Sequence, residues 1–157
     1  MTHTAIIDIT NRIISRSKES RAAYLANMAE MRNAGPARPT MSCGNLAHAY
    51  AGCPQTEKDR LAGNNAKNIA IVSAYNDMLS AHQPYHAMLN EVKQHLFTLG
   101  ATAQMAGGVP AMCDGVTQGQ PGMELSLFSR DVIAFSTAVS LSHNVYDAGM
   151  LLGVCDK

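Results

Sequence analysis

The sequence predicts an α/β fold, in which a parallel sheet is flanked by helices and preceded by an N-terminal helical arm. From residue 68 onward, short apolar runs alternate with segments whose apolar residues recur every three or four positions. Strands that alternate with helices in this way are typical of βαβ units, whose strands are parallel and whose crossovers are right-handed. The chain has 157 residues, of which 46% are hydrophobic, and this composition supports a packed core. We divide it into a helical arm with an irregular cap at 1–67 and an α/β domain at 68–157.

The arm is predicted from the helical spacing of apolar residues between positions 5 and 32. Residues 16–21 are polar on every side, so the pattern fits either one helix or two helices with a break near Ser17. Gly35 and Pro36 are expected to end this segment, because a proline cannot continue a helix and restricts the residue before it.

The remaining elements follow from short apolar runs and further helical spacing. Glycine and proline punctuate residues 33–67, where we expect two short helices, at 46–50 and 57–61. Three strands are predicted at 69–72, 101–106 and 149–154. One helix between them begins near Pro84 and ends at Gly100. A second helix carries a single apolar stripe, formed by Leu125, Phe128, Val132, Phe135 and Val139.

Polar segments follow all three predicted strands, at 73–83, 107–122 and 155–157. The carboxyl ends of parallel strands meet at one edge of the sheet, and ligands bind in the crevice outside that edge. The sequence therefore predicts that three loops, far apart along the chain, converge on one crevice.

Composition and charge exclude several classes of function. Lys plus Arg equals Asp plus Glu, at 12 each, so neither a nucleic acid nor an anionic membrane is an expected partner. No apolar run is long enough to span a bilayer, and no signal-peptide pattern follows the N-terminus. We therefore expect a cytoplasmic protein, whose four cysteines are free, metal-bound or catalytic rather than disulfide-bonded.

Three side chains with metal-binding chemistry follow the last strand. Cys155 offers a thiolate, which suits iron or zinc, and Asp156 offers a carboxylate, which suits magnesium or manganese. Lys157 can pair with that carboxylate, bind a phosphate, or become a metal ligand after carbamylation. For these three residues alone, a buried cysteine followed by a surface ion pair is the more frequent explanation.

The other two loops contain further candidates. Asp114 lies in the glycine-rich loop 107–122, which is either a ligand-binding loop or a flexible, turn-rich one. In the loop after the first strand, Ser73, Asn76 and Asp77 are candidates for hydrogen bonding a polyol or phosphate, and His82 is a further candidate for substrate binding. For His82, a histidine with a purely structural role is the more frequent explanation.

Taken together, these motifs resemble the dihydroxy-acid/6-phosphogluconate dehydratase family. The resemblance is carried by SAYNDMLSAHQPY at 73–85, CDGVTQG at 113–119, ELSL at 124–127, SR at 129–130, LSHN at 141–144 and GVCDK at 153–157. It is closest to the branch of the family that acts on 6-phosphogluconate, through NRII at 11–14 and CGNLAH at 43–48. Members of the family are several times longer than this chain, so we expect the chain to be an N-terminal portion that stops after the Cys-Asp-Lys motif.

The resemblance implies two metal groups. Cys155 matches a cysteine ligand of an iron–sulfur cluster, and Asp114 and Asp156 match magnesium ligands. Lys157 matches a lysine that is carbamylated in relatives and then binds the metal. Relatives with a two-iron cluster have a cysteine in the loop that corresponds to 76–83, and this chain has none there. The expected cofactors are therefore a [4Fe-4S] cluster and Mg2+.

The resemblance also implies a reaction, the dehydration of 6-phospho-D-gluconate to 2-dehydro-3-deoxy-6-phospho-D-gluconate in the Entner–Doudoroff pathway. The catalytic base and the remaining ligands are expected outside these 157 residues, and no catalytic residue is assigned within them. We expect the protein to form a homodimer. Its expected ligand is a small phosphorylated sugar acid. Two alternatives remain: a dehydratase of the same family acting on a branched dihydroxy acid or another sugar acid, and an inactive folding or interface module.

Overall fold

The computed structural model of the chain describes residues 2–63 and 65–155. Two of the predicted metal ligands, Asp156 and Lys157, lie outside the described residues. Contacts divide the chain into two compact units, Met1–Gly35 and Pro36–Lys157. The division into domains at residue 67 stays a prediction.

The first unit is one uninterrupted helix, α1, at Thr4–Ala34. Its first turn is capped by His3, whose side chain accepts a hydrogen bond from the backbone N–H of Ala5. The helix ends at Gly35, whose φ of 73° lies in the left-handed region that glycine adopts without strain. The two-helix alternative was wrong. The polar stretch continues the helix because hydroxyls such as that of Ser17, which donates to the carbonyl of Ile13 at 2.7 Å, are satisfied by the helix itself.

The second unit begins with three short helical segments. A 3-10 turn at Arg38–Thr40 is followed by α2, Cys43–Tyr50, and α3, Gln55–Ala62, which confirm the two short helices predicted in the cap. Apolar side chains of these helices and of the turn between them pack into a small cluster of their own, formed by Leu46, Ala49, Tyr50, Cys53 and Leu61.

The sheet has three parallel strands: β1 at Asn68–Ser73, β2 at Thr102–Gly108 and β3 at Ala148–Leu152. Their order is β2-β1-β3, so β1 is central and both of its neighbours run in its own direction. Ala70 and Ile71 in β1 are completely buried, as expected of a strand covered on both faces. These observations confirm the predicted fold class.

Four helical segments connect the strands: α4 at Tyr85–Thr98, the single-turn α5 at Asp114–Thr117, a 3-10 helix at Pro121–Leu125, and α6 at Ser126–Leu141. The loop predicted at 107–122 was therefore partly wrong. Its first two glycines belong to β2, and its centre contains α5. A β-carbon at Gly107 would overlap the hydroxyl of Ser140, so this glycine permits close packing of α6 on the sheet.

The apolar stripe of α6 is mostly exposed in this chain. Phe135 in its middle is 75% exposed and Phe128 is 59% exposed. The helix instead packs on the sheet through Ile133 and Leu141, which contact a cluster that contains Val72. Hydrophobic spacing therefore identified the helix, but not the face that covers the sheet.

The amino end of the sheet is closed by a buried ion pair. Arg38, 1% exposed, donates from Nη2 to the carbonyl of Ala66 at 2.6 Å and to Asp147 Oδ2 at 3.0 Å. The backbone N–H of Asn68, the first residue of β1, donates to the same carboxylate oxygen at 2.7 Å. This pair connects the segment before α2 to the starts of β1 and β3.

Within the part of the chain that the structure describes, no helix combines the length and the hydropathy that crossing a membrane requires.

Candidate functional site at the carboxyl edge of the sheet

Two backbone hydrogen bonds join the loops at the carboxyl edge of the sheet. The N–H of Ala74, the first residue after β1, donates to the carbonyl of Leu152 in β3 at 3.0 Å. The N–H of Val109, the first residue after β2, donates to the carbonyl of Ser73 in β1 at 3.0 Å. The three loops therefore start side by side, which confirms the prediction that they emerge at one edge.

The loop after β1 uses two of its candidate residues to hold its own shape. Ser73 is buried, and its hydroxyl accepts a hydrogen bond from the N–H of Tyr75 at 3.1 Å. The side chain of Asn76 bridges the loop, because Oδ1 accepts from the N–H of Leu79 at 2.9 Å and Nδ2 donates to the carbonyl of Ala74 at 3.3 Å. Such local bonds are typical of turns built by Ser and Asn. A substrate contact from either residue stays a prediction.

Asp77 is the exposed candidate of this loop. One of its carboxylate oxygens accepts a hydrogen bond from the hydroxyl of Tyr75 at 2.6 Å. This bond stabilises the neutral phenol and so raises the pKa of Tyr75 above its ordinary value. The ring of Tyr75 in turn lies 5.3 Å from that of His86 at the start of α4. Asp77 is thus accessible and oriented by a neighbour, and its role in substrate binding stays a prediction.

His82 is the candidate with the most unusual surroundings. Its side chain is 1% exposed, and Nδ1 lies 2.9 Å from the carbonyl oxygen of Ala74. A carbonyl can only accept, so Nδ1 carries a proton, and in the neutral ring Nε2 is then an acceptor. Nε2 is buried and has no hydrogen-bond partner among the described residues. A buried acceptor without a partner is costly, and a hydroxyl donor supplied by a ligand would satisfy it.

Asp114 opens α5 in the loop after β2 and is half-buried. Its Oδ1 accepts a hydrogen bond from the hydroxyl of Ser126 at 2.6 Å. An oriented carboxylate on a loop at the edge of a sheet fits Mg2+, which prefers oxygen ligands. The donor to this carboxylate was missed at the sequence level. Ser126 lies within the ELSL motif but off the apolar stripe of its helix, and a serine at the start of a helix is usually explained as a cap.

Cys155 lies three residues beyond the end of β3 and has an exposed thiol. Its φ of 67° is in the left-handed region, which few residues other than glycine, asparagine and aspartate occupy. Such a backbone conformation costs about 1–3 kcal/mol and is concentrated at functional sites. Cys155 is therefore accessible and held in an uncommon conformation, and both features fit a cluster ligand.

The other cysteines differ in accessibility. Cys53 is buried against Tyr50 and Leu61, and burial, followed by the nearby charge of Glu57, raises its pKa above the ordinary value for a thiol. A raised pKa disfavours the thiolate that binds metals. Cys43 is exposed on α2, and Cys113 is half-buried directly before Asp114.

No group of three or more His, Cys, Asp or Glu side chains that could hold a metal ion is present in residues 2–63 and 65–155. An iron–sulfur cluster is held by several cysteines, so Cys155 fits such a cluster as one ligand of a larger set. Asp114 likewise fits Mg2+ as one oxygen ligand. The other two predicted metal ligands, Asp156 and Lys157, lie outside the described residues.

A family model and individual relatives among known proteins point to the same family. Residues 67–157 match a family model described as dihydroxy-acid/6-phosphogluconate dehydratase N-terminal. The chain is 56% identical over 155 residues to a phosphogluconate dehydratase of Pseudomonas aeruginosa, covering 99% of this chain and 26% of the relative. It is 54% identical over 152 residues to a phosphogluconate dehydratase of Escherichia coli, covering 97% of this chain and 25% of the relative.

A more distant relative is a dihydroxy-acid dehydratase of Lachnoclostridium phytofermentans, 40% identical over 96 residues, which cover 57% of this chain and 16% of the relative. The chain spans about a quarter of the length of the phosphogluconate dehydratases that it matches. The family model covers more than half of the chain, and the matched residues include β1, β2 and β3 and the candidates described after each of these strands. The chain therefore belongs to the dihydroxy-acid/6-phosphogluconate dehydratase family.

Proposed function

We propose that this chain forms the N-terminal part of a hydro-lyase that converts 6-phospho-D-gluconate to 2-dehydro-3-deoxy-6-phospho-D-gluconate and water, a step of the Entner–Doudoroff pathway. One observation carries the choice of substrate. Relatives named phosphogluconate dehydratase match 97–99% of the chain, arm and cap included, at 54–56% identity. The dihydroxy-acid dehydratase matches only 57% of it, at 40% identity.

The proposed cofactors are a [4Fe-4S] cluster and Mg2+. Cys155 would hold the cluster, and Asp114, Asp156 and a carbamylated Lys157 would hold the magnesium. When bound, the cluster supplies a Lewis acid for the departing hydroxyl and Mg2+ offsets the negative charge that develops next to the substrate carboxylate. A homodimer and a cytoplasmic location stay predictions.

The described residues have distinct tasks in this reaction. Asp114 presents an oriented carboxylate, and the exposed thiol of Cys155 is available as a thiolate ligand. The buried Nε2 of His82 accepts a hydrogen bond from a substrate hydroxyl, because the ring proton is already committed to the carbonyl of Ala74. Asp77, exposed on the same loop, accepts from another hydroxyl of the polyol. None of these groups is assigned as the base that removes the C2 proton.

A chimera tests the proposal. The 157 residues would replace the matching N-terminal segment of the Pseudomonas aeruginosa relative, and the protein would be reconstituted anaerobically with iron and sulfide and supplied with Mg2+. Formation of the 2-keto product is then measured with 6-phosphogluconate and with a branched 2,3-dihydroxy acid. We expect turnover of 6-phosphogluconate at a rate comparable with that of the unmodified relative, and little turnover of the dihydroxy acid. Preferential turnover of the dihydroxy acid would contradict the proposed substrate.

A chimera variant with His82 replaced by Phe tests the histidine. The change keeps an aromatic ring in the buried position and removes both the Nε2 acceptor and the Nδ1–H donor to Ala74. The expected result is a raised KM for 6-phosphogluconate with an unchanged affinity for Mg2+. An unchanged KM would exclude a substrate contact from Nε2.

A further inference from the structure

The contact between Ser126 and Asp114 joins two different parts of the fold. Asp114 belongs to the loop after β2, whereas Ser126 is the first residue of α6, twelve positions later in the sequence. Ser126 is only 4% exposed. A hydroxyl in such a position has exchanged its hydration for partners in the protein, and one of those partners is the carboxylate.

The hydrogen bond is short and charge-assisted. The Ser126 hydroxyl donates to Asp114 Oδ1 at 2.6 Å, within the range of strong O–H···O− bonds. A carboxylate has two oxygens with about four acceptor positions, so a hydroxyl donor and a cation can bind the same carboxylate. The bond from Ser126 therefore helps to orient the carboxylate and is compatible with metal binding.

The donor itself is held by a regular element. Ser126 is the first residue of α6, a helix of 16 residues whose backbone hydrogen bonds fix its position. Further along, Ile133 and Leu141 anchor this helix against the apolar cluster that contains Val72 and Val109. The position of the Ser126 hydroxyl is thus set by a packed helix, whereas Asp114 lies in a segment rich in glycine.

We propose that Ser126 is a positioning residue for Mg2+, which orients the Asp114 carboxylate for coordination. This inference rests on the proposed function, in which Asp114 is a magnesium ligand. Groups that hydrogen-bond metal ligands commonly contribute 10- to 100-fold to metal affinity, because without them the ligand samples orientations that do not bind. Ser126 supplies such a bond from a rigid element to the only metal ligand that is proposed for the loop after β2.

The test uses the complete enzyme that carries this chain, loaded with its cluster and depleted of divalent cations. Ser126→Ala, Ser126→Thr and the matched control Ser129→Ala are titrated with Mg2+ by calorimetry. Ser129 is a suitable control because it is also a buried α6 serine, but its hydroxyl donates to a backbone carbonyl of its own helix and not to a carboxylate. Thermal unfolding midpoints verify that each variant is folded.

For Ser126→Ala we expect the Kd for Mg2+ to rise by about 10- to 100-fold. Because the loss is in metal affinity, most of kcat should return at saturating Mg2+, while the Mg2+ concentration needed for half-maximal rate rises. Ser126→Thr, which keeps the hydroxyl, should restore most of the affinity, and Ser129→Ala should leave it unchanged.

Equal Kd values for Ser126→Ala and the parent enzyme would overturn the positioning role and leave the proposed function intact. An equal loss of affinity in Ser129→Ala would also overturn it, since the effect would then be a general consequence of perturbing α6. The variant Asp114→Asn tests whether Asp114 is a magnesium ligand at all. If this variant binds Mg2+ as tightly as the parent, Asp114 is not a ligand, and both the metal assignment and the role of Ser126 fail.

Discussion

Replacing Asp147 with alanine should destabilise the second unit strongly, although Asp147 lies at the end of the sheet opposite the candidate site. The carboxylate side chain is 6% exposed and accepts from both Arg38 and the backbone of Asn68. Without it, the Arg38 guanidinium stays buried, and among the described residues the carbonyl of Ala66 is its remaining hydrogen-bond acceptor. Its Nε and Nη1 already have no partner among the described residues.

The size of the destabilisation follows from the uncompensated charge of the buried Arg38 guanidinium. Breaking a buried ion pair by removing one partner costs about 3–5 kcal/mol. Domains of this kind have a total free energy of unfolding of about 5–15 kcal/mol, so the variant loses a large share of its stability. For a chain of this size, each kcal/mol corresponds to about 2–4 °C in the thermal midpoint, and a decrease of roughly 10 °C is expected.

The assay is urea denaturation of the 157-residue chain, followed by circular dichroism. The matched control is Lys67→Ala, because the Lys67 ammonium is 3.8 Å from the same carboxylate but its side chain is 66% exposed. An exposed pair of this kind contributes about 1 kcal/mol or less. If Asp147→Ala and Lys67→Ala lower the free energy of unfolding by the same small amount, the buried pair does not have the structural role argued for it.

Three further predictions concern the sheet and its carboxyl edge. In the complete enzyme, Cys155→Ser should lower iron content and abolish turnover; full iron content together with a full rate would remove Cys155 from the site. The 157-residue chain alone should not dehydrate 6-phosphogluconate after anaerobic reconstitution, and measurable product would contradict this. Gly107→Ala should lower the free energy of unfolding by about 1–3 kcal/mol through overpacking against Ser140. Ser140→Ala in the same chain should recover much of that loss, whereas Gly52→Ala, where a β-carbon meets no atom within 4 Å, should cost far less.

The strands and helices were predictable because each depends on neighbours in the sequence. The apolar run that contains Ile71 forms the central strand, and the spacing around Phe135 identified α6. The exposed side of α6 was not predictable. The side that covers the sheet is selected by a close approach at Gly107, and such steric fit has no local sequence signal.

The long-range polar contacts could not be predicted from the sequence, for a different reason. Arg38 and Asp147 are 109 positions apart, and nothing in either local sequence specifies the other. The candidate site was partly predictable, because parallel topology alone brings the loops of Asp114 and Cys155 to one edge. The donor to Asp114 was not, because it depends on where the loop after β2 returns to the start of α6.

The strand order gives the three loops different positions along the carboxyl edge. β1 lies between β2 and β3, so the loop that contains Asp77 and His82 starts between the other two. The loop of Asp114 follows β2 on one side, and Cys155 follows β3 on the other. Under the proposed function, Mg2+ takes ligands from both flanks of the substrate-binding loop. Asp114 comes from the β2 side, whereas Asp156 and Lys157 come from the β3 side, next to the cluster ligand Cys155. Dehydration acts on two adjacent carbons, removing a proton beside the carboxylate and a hydroxyl from the next position. Under the proposed function, the segment after β3 therefore supplies ligands to both metal groups, which places the two cations close together, as a reaction on adjacent carbons requires.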